Sequence, residues 1–464
     1  MPDTVQSLLR QLPSVADLLD RADVAALVDE YGAGMVKREI RSYLEDVRRA
    51  VRDGRTTTLP ALDGLGPALA ERLIRLTRPV GREAINATGI ILHTGLGRAP
   101  LCDDALTAIA DFGGYSILQT SIDTGERSLR EEKIEGMLRD LTGCEAATVV
   151  NNNAAATFII LNELAFGREV VISRGQLVEI GGAFRLPDVM ARSGCILREV
   201  GTTNRTYLRD YRDAIGDDTG AVMRAHTSNY RIRGFSSMPS VEELVPMARE
   251  FGLPVIDDTG SGALVPLAPF GLPDEPLIPH SIASGATVVC CSGDKLMSGP
   301  QAGIICGTRD VIARIRRNPF ARTFRVDKMA LAGLEATLVH FINGTHTEAL
   351  PLYRMLSTPV DELEERARAL MGAIDAPGVE RDVVDDESFI GSGSSPDEGL
   401  PSKAVRLSGQ GLRPSRVCAL LRRGLPSVFA RAHDDGVILA VRTVPAGKID
   451  ALAVAMSAAL KKLA

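Results

Sequence analysis

None of the seven cysteines in this chain stands in a Cys-x-x-Cys or other metal-ligating spacing. They are Cys102, Cys144, Cys195, Cys290, Cys291, Cys306 and Cys418. Seven is odd, so the pattern argues against a disulfide framework and for reduced thiols in the cytoplasm. The adjacent Cys290 and Cys291 read as small buried hydrophobes at a strand end. Also lacking is any apolar run long enough to cross a membrane. The first residues, "MPDTVQSLLRQLPSVADLLDRAD", carry acids where a secretory signal needs an uncharged apolar core. There is no excess of positive charge either. A net charge of −6 argues against general coating of nucleic acid, though a local basic patch stays possible because phosphate responds to local field. No internal repeat and no long low-complexity tract interrupts the sequence.

What is present is the balance of a globular protein, 45% hydrophobic and 24% charged, over 464 residues. That length predicts two or three domains with real cores. Residues 1–80 read as helical. Ser14 is a candidate N-cap for a helix through "SVADLLDRADVAALVDEYG". A second amphipathic helix, "GMVKREIRSYLEDVRRAVRDG", is locally basic through Lys37, Arg38, Arg41, Arg48, Arg49, Arg52 and Arg55. The ordinary alternative for such a run is a solvated face. Over residues 81–345, short apolar runs such as "EVVIS", "LPVIDD" and "AGIICG" alternate with helical patterns. This predicts an α/β domain with a mainly parallel sheet, its polar residues gathered at the C-terminal strand ends. Residues 346–464 read as a compact α+β domain.

Chemistry concentrates in "CCSGDKLMSGPQAG", residues 290–303, where Lys295 stands in a turn between two apolar strands. Ser292 precedes it by three, and glycines let backbone amides approach a ligand. A lysine that forms a Schiff base must be held near a carbonyl compound and partly desolvated. Pyridoxal phosphate is the common partner, and it needs a phosphate cradle and an acid at its pyridine nitrogen. "VVNNNAAATFII" supplies candidate phosphate contacts in Asn152, Asn153, Ala154 and Ala155 at a helix N-terminus, with Ser292 adding a hydroxyl. An ordinary asparagine cap is the alternative. "LPVIDDTGSGAL" supplies Asp257 and Asp258, which strand alternation puts on opposite faces. Two acids at a strand end also suit Mg²⁺. The acid strand lies about 37 residues before the lysine and the asparagine turn roughly 105 further upstream, an order that favours the cofactor over a metal. Arg98, Arg322 and Arg325 are candidates for an oxyanion site, the last two spaced to share a helical face; a pair of surface charges is the alternative.

These residues carry a resemblance. "INATGIILHTGLGRAPL", "VVNNNAAATF", "VISRGQLVEIGGAFRLPDVM", "GTTNRT", "HTSNYRIRGF", "DDTGSGAL", "SGDKLMSGPQAGII" and "RTFRVDKMALAGLEATL" together resemble the bacterial L-seryl-tRNA(Sec) selenium transferases, over essentially the whole chain. The resemblance implies a fold-type-I pyridoxal-phosphate enzyme. Lys295 would be the cofactor lysine, Asp258 the pyridine-nitrogen aspartate by the pattern Asp-x-Gly-Ser-Gly, and Arg98, Arg322 and Arg325 the binders of the selenium donor's anion. Ser228 and Asn229 would lie near the cofactor's ring oxygen, while His226 is more simply a core histidine. No aromatic residue stands near "SRGQLVEIGG" to stack on the cofactor, so Gln176 or Leu177 would cover that face. The N-terminal helices would grip seryl-tRNA(Sec), and the chains would assemble as a ring of dimers. The implied reaction eliminates the serine hydroxyl to an aminoacrylyl intermediate and adds selenium from selenophosphate, with no metal. The rivals are a related pyridoxal-phosphate lyase acting on a small amino acid or amino-sugar phosphate, a cysteine or selenocysteine lyase, and a tRNA-binding protein without catalysis. The N-terminal helices weigh against the first, the lack of a loop cysteine in a Gly/Ser-rich setting against the second, and the joint survival of lysine, aspartate and arginines against the third.

Overall fold

The computed structural model describes residues 2–77, 81–181, 184–227, 229–230, 232, 234–273, 275–392 and 399–463. The chain divides into two compact units, Met1–Glu83 and Ala84–Ala464.

The first unit is helical: Pro2–Arg10, Val15–Leu19, Ala22–Tyr31, Ala33–Arg52 and Leu65–Thr77. Ser14 caps as expected, its hydroxyl accepting from Asp17 N at 3.1 Å while Asp17 Oδ2 accepts from Ser14 N at 3.0 Å. The single helix expected after Ser14 is in fact two. Arg21 turns extended (φ −69°, ψ 137°) and begins a new helix. Asp23 holds the break, bound by Arg21 Nε (2.8 Å) and by Gly66 N (3.2 Å) from the last helix of the unit. Leu18, Val24, Val36, Ile40, Leu44, Leu65, Leu69 and Leu73 form the core. Each such side chain stabilises by roughly 1.5–3 kcal/mol before chain entropy is subtracted.

The second unit holds a seven-stranded and a five-stranded sheet. In chain order the strands are β1 (Ala84–Ala87), β2 (Ala146–Val150), β3 (Glu169–Ser173), β4 (Glu179–Ile180), β5 (Phe184–Arg185), β6 (Ile196–Val200), β7 (Thr219–Ala225), β8 (Val255–Gly260), β9 (Val288–Ser292), β10 (Gly303–Gly307), β11 (Glu380–Ser388), β12 (Leu400–Ser408), β13 (Ser427–His433) and β14 (Gly436–Ala440). The large sheet runs β2-β10-β9-β8-β7-β3-β6; only β10 is antiparallel to its neighbours. The expected α/β fold with a mainly parallel sheet is therefore the observed one. Its strands alternate between two apolar layers. Val149, Val171, Val222, Val255 and Val289 face one, and Val150, Val170, Met223, Ile256 and Val288 the other.

The small sheet runs β1-β13-β14-β12-β11. The helices Val360–Ala373, Pro414–Arg423 and Ile449–Lys461 pack on it through Leu363, Leu370, Val417, Leu421, Leu452 and Met456. Although β1 lies far upstream in sequence, it pairs with β13 in this sheet.

Register decides where the polar residues meet. Gly303 opens β10 opposite both Val150, the last residue of β2, and Ser292, the last of β9. The ends of β2, β9, β8 and β7 thus share one edge of the sheet. Gly303 has no alternative there, because a Cβ would stand 2.2 Å from the carbonyl oxygen of Asn152, where the chain turns over it.

A candidate active site at the strand ends

Lys295 sits in a turn whose backbone is closed from several sides. Gly293 N donates to Ala302 O (2.8 Å), Ser298 N to Lys295 O (2.9 Å) and Gly299 N to Gly293 O (2.9 Å). Leu296 N donates to Ser261 O (2.9 Å), and the buried Tyr353 hydroxyl donates to Leu296 O (2.9 Å). Gly262, at φ +78°, lies so close to the lysine strand that a Cβ would meet Ser292 O at 2.6 Å. The lysine side chain is 5% exposed. Burial, and next the charge of Arg98, hold its amine below the ordinary lysine value, against Asp258, Asp294 and Glu275. A desolvated amine in a rigid turn is a nucleophile in waiting.

The two aspartates part as strand alternation requires. Asp257 is fully buried and paired with Arg224 Nη1 at 2.9 and 3.1 Å. Asp258 lies on the layer of the helix Asn153–Ala165. Its Oδ1 accepts from Asn153 Nδ2 (2.9 Å) and Gly260 N (3.1 Å), and its Oδ2 from Thr157 Oγ1 (2.9 Å). Burial pushes this carboxyl up, while Asn153, Thr157 and the charge of Lys295 pull it down. A carboxylate offers about four acceptor positions, so a fourth donor can still bind at Oδ2. A protonated pyridine nitrogen is such a donor, and its charge would offset the desolvation. The donor set and the buried amine therefore fit pyridoxal phosphate.

The asparagine turn divides its labour. Asn152 acts as the ordinary cap, its Oδ1 accepting from Ala155 N at 2.9 Å, so that amide is already engaged. Asn153 turns inward to Asp258, and its Oδ1 is buried without a hydrogen-bond partner. Ala154 is half-buried in the first turn, and Ser292 is buried at the end of β9. Gln176 is buried with its Oε1 accepting from Ala225 N (3.2 Å). His226 is half-buried, and its amide donates to Asp258 O (2.8 Å). Asn229 Nδ2 donates to Glu179 O (2.6 Å), whereas Ser228 lies outside the described residues.

The three arginines separate into two places. Arg98, at φ 64°, pairs with Asp294 (2.6 Å) beside the lysine. Arg322 and Arg325 do not share a helical face, correcting the expectation from spacing. The helix there is only Phe320–Thr323, and Arg325 is extended, bridging Val150 of β2. Phe320 and Phe324 close the turn by packing edge-on to Phe158, with centroids at 5.1 and 5.4 Å. Arg325 Nη2 donates to Gln119 Oε1 (2.6 Å). No hydrogen bond or ion pair among the described residues joins this pair to Arg98.

Sequence reasoning missed Thr157 and Asp294. Thr157 stands one turn beyond Asn153, a spacing that puts both on one side of the helix. Asp294 was visible as the acid adjacent to Lys295. Among the described residues no group of three His, Cys, Asp or Glu side chains forms a metal site, no helix is long and apolar enough to cross a membrane, and all seven cysteines are free and buried.

In the helical unit, Lys37, Arg38, Arg41, Arg48, Arg49 and Arg52 lie on Ala33–Arg52, whereas Arg55 lies beyond its end and pairs with Asp53 at 2.6 Å. Arg48 and Arg52 are both tied to Glu45 (3.4 and 3.6 Å), and Arg38 to Glu39 (3.4 Å). Lys37, Arg41 and Arg49 are exposed and make no ion pair among the described residues.

Comparison with known proteins adds a family. A profile described as L-seryl-tRNA selenium transferase matches residues 84–445, and one described as selenocysteine synthase N terminal matches residues 9–48. The L-seryl-tRNA(Sec) selenium transferase of Hyphomonas neptunium is 42% identical over 96% of this chain and 97% of its own length. That of Solidesulfovibrio magneticus is 44% identical over 98% and 99%. Among solved structures, D-glucosaminate-6-phosphate ammonia-lyase superposes with a TM-score of 0.59 at 20% identity, over 83% of this chain and 99% of its own, a likeness of fold.

Proposed function

Because the chain belongs to the L-seryl-tRNA selenium transferase family, we propose that it replaces the hydroxyl of serine esterified to tRNA(Sec) with selenium, giving selenocysteinyl-tRNA(Sec). The observation that carries this reading is the conjunction of near-full-length identity with a buried amine and a buried carboxylate at adjoining strand ends. The matched N-terminal profile weighs against a lyase of small substrates, which has little need of that unit.

Pyridoxal phosphate, when bound, supplies an electron sink that makes the serine Cα acidic and its β-hydroxyl expellable. Lys295 would hold that group through its desolvated amine. Once released, the same amine would move the proton at Cα, a task that suits a depressed pKa. Asp258, fixed by Asn153, Thr157 and Gly260, would keep a proton at the ring nitrogen. Ser292 and the amides at Asn153 and Ala154 would take the phosphate, with Asn152 and Ala155 shaping the turn. Asn229 and Ser228 would border the ring.

Selenophosphate is the donor in this reading: selenium becomes bonded to Cβ, and the phosphoryl group leaves as phosphate. Arg98, oriented by Asp294, would bind the donor's anion at the lysine. Arg322 and Arg325 would bind anion beside the asparagine turn. The basic helix of residues 1–80 would grip the tRNA, with Lys37, Arg41 and Arg49 free for phosphates and Arg38, Arg48 and Arg52 flanking them. Self-association into dimers and a ring is supported by the exposed apolar side chains Tyr115, Ile117, Ile122 and Leu129, all in one stretch. The reaction would run in the cytoplasm, with residues 81–345 carrying the cofactor and 346–464 the small domain.

The test is turnover of seryl-tRNA(Sec) with selenophosphate, against none on free serine. A visible absorption band lost in Lys295→Ala would tie the activity to this lysine. Turnover of free serine at a comparable rate would sink the reading.

A further inference from the structure

Tyr353 belongs to no sequence motif of the site, yet its hydroxyl reaches the backbone that carries Lys295. It donates to Leu296 O at 2.9 Å, and no other hydrogen bond among the described residues reaches that carbonyl. On the near side of Leu296, the amide donates to Ser261 O at 2.9 Å. The two peptide groups that follow Lys295 are thus held by different elements, the first by the residue after β8 and the second by the helix Pro351–Ser357. Tyr353 is fully buried, and its ring has no room to turn away. Phe270, Phe341 and His346 meet it edge to face, with centroids at 5.9, 5.6 and 5.2 Å, and His346 stacks in turn on Phe341 at 5.3 Å. Swinging the phenol aside would leave both its hydroxyl and the Leu296 carbonyl buried and unpaired.

The helix that carries Tyr353 is gripped in turn from the small sheet. Arg442 is buried two residues past the end of β14. Its Nη1 donates to Met355 O (2.6 Å) and Thr358 O (3.1 Å) at the end of that helix, and its Nη2 to Pro401 O (2.6 Å) on β12. Burial disfavours this charge and lowers the guanidinium below its ordinary value. All three partners are backbone carbonyls on two elements, so the rigid fork fixes the distance from β12 to the helix. A continuous path of contacts then runs from β12 through Arg442, the helix, Tyr353 and Leu296 to Lys295.

We propose that Tyr353 is a positioning residue for Lys295 and that Arg442 sets it from the small sheet, so that the pose of the amine follows the pose of that sheet. The effect on turnover rests on the function proposed above, in which this amine holds the cofactor and moves the proton at Cα; the mechanical link does not. Proton transfer is sensitive to such placement, since a shift of about 1 Å costs roughly a hundredfold in rate.

Tyr353→Phe keeps the ring among its neighbours and removes only the donor, while Arg442→Lys keeps the charge and loses the fork. Arg442→Gln takes its place if the lysine variant does not fold. The singles and the double variant are compared in full-length, cofactor-loaded protein. Tyr353→Phe lowers kcat by about tenfold or more and leaves KM for seryl-tRNA and for selenophosphate unchanged, a split that mere core filling would not produce. The Arg442 variant lowers kcat in the same way, and the double variant is no slower than the slower single, as expected of two residues on one path. Amide hydrogen exchange needs no turnover. It speeds up over residues 295–299 in both singles, while β9 and β10 exchange as in wild type. The proposal is overturned if exchange over 295–299 is unchanged in Tyr353→Phe, if KM moves while kcat holds, or if the two effects on kcat multiply. If wild type shows neither a cofactor band nor turnover, the functional reading fails while hydrogen exchange still decides the link.

Discussion

Arg224 Nη1 lies 2.9 and 3.1 Å from the two oxygens of Asp257, a fully buried carboxylate. The pair occupies the face of β8 opposite to Asp258, so that of two adjacent acids one is held in an ion pair and the other faces Asn153 and Thr157.

Removing one partner of such a pair strands the other's charge. Arg224→Met should therefore destabilise the protein by about 3–5 kcal/mol. The cofactor band per folded molecule should persist. Asp258→Asn should do the reverse, abolishing the band with little loss of stability. Denaturant unfolding together with visible absorbance checks both, and a band lost in Asp257→Asn but kept in Asp258→Asn would exchange the two roles.

Thr157, like Asn153, donates a side-chain hydrogen bond that opposes the effect of burial on Asp258. A bond to an ionised group contributes about 1.5–3 kcal/mol. Thr157→Val should weaken cofactor affinity by about one to two powers of ten and raise the pH at which the pair of Asp258 and the ring nitrogen loses its proton. Thr157→Ser should restore both. An absorbance titration that is identical in the valine variant would remove Thr157 from the site.

Arg98 is the charge that depresses Lys295 most after burial. Without a positive neighbour the protonated amine is favoured, so Arg98→Met should raise the pKa of Lys295. Reductive methylation of the cofactor-free protein should then need higher pH. Linkage has a definite sign here. The fold prefers the neutral amine, so this preference stabilises at pH above the ordinary lysine value and is lost as pH falls through the depressed one. Lys295→Met should accordingly melt higher than wild type at neutral pH, and the gap should close in strong alkali. A gap that widens with pH would contradict the assignment.

On the helix Ala33–Arg52, Lys37, Arg41 and Arg49 have no acidic partner among the described residues, while Arg48 and Arg52 share Glu45. Changing the three unpaired residues to glutamate should abolish seryl-tRNA binding and leave the cofactor band intact. Changing them to glutamine should flatten the slope of log affinity against log salt by about 2–3. An unchanged slope would place the RNA elsewhere.

Much of this was legible before any coordinates. Most strands of the large sheet announce themselves because they are buried on both faces and read as apolar runs, whereas β6 is an exposed edge strand. β11 was not legible. Its "ERDVVDDES" is an acidic edge strand with one face in solvent, and it lacks that signal. The helical break at Arg21 was hidden as well, since it depends on Asp23 meeting Gly66 from a distant helix.

By itself the sequence determined the chemical types at the strand ends: an amine in a glycine-bounded turn, an acid pair, a capped asparagine turn and arginines. Tertiary structure alone decided the roles. Asp258 meets Asn153 and Thr157, over a hundred residues upstream, because sheet parity turned it to their side. Arg325 left the helix of Arg322 because Val150 bridges it. Local sequence sets which groups are available and which way a strand faces, whereas the order of strands in the sheet sets which distant groups share one low-dielectric space.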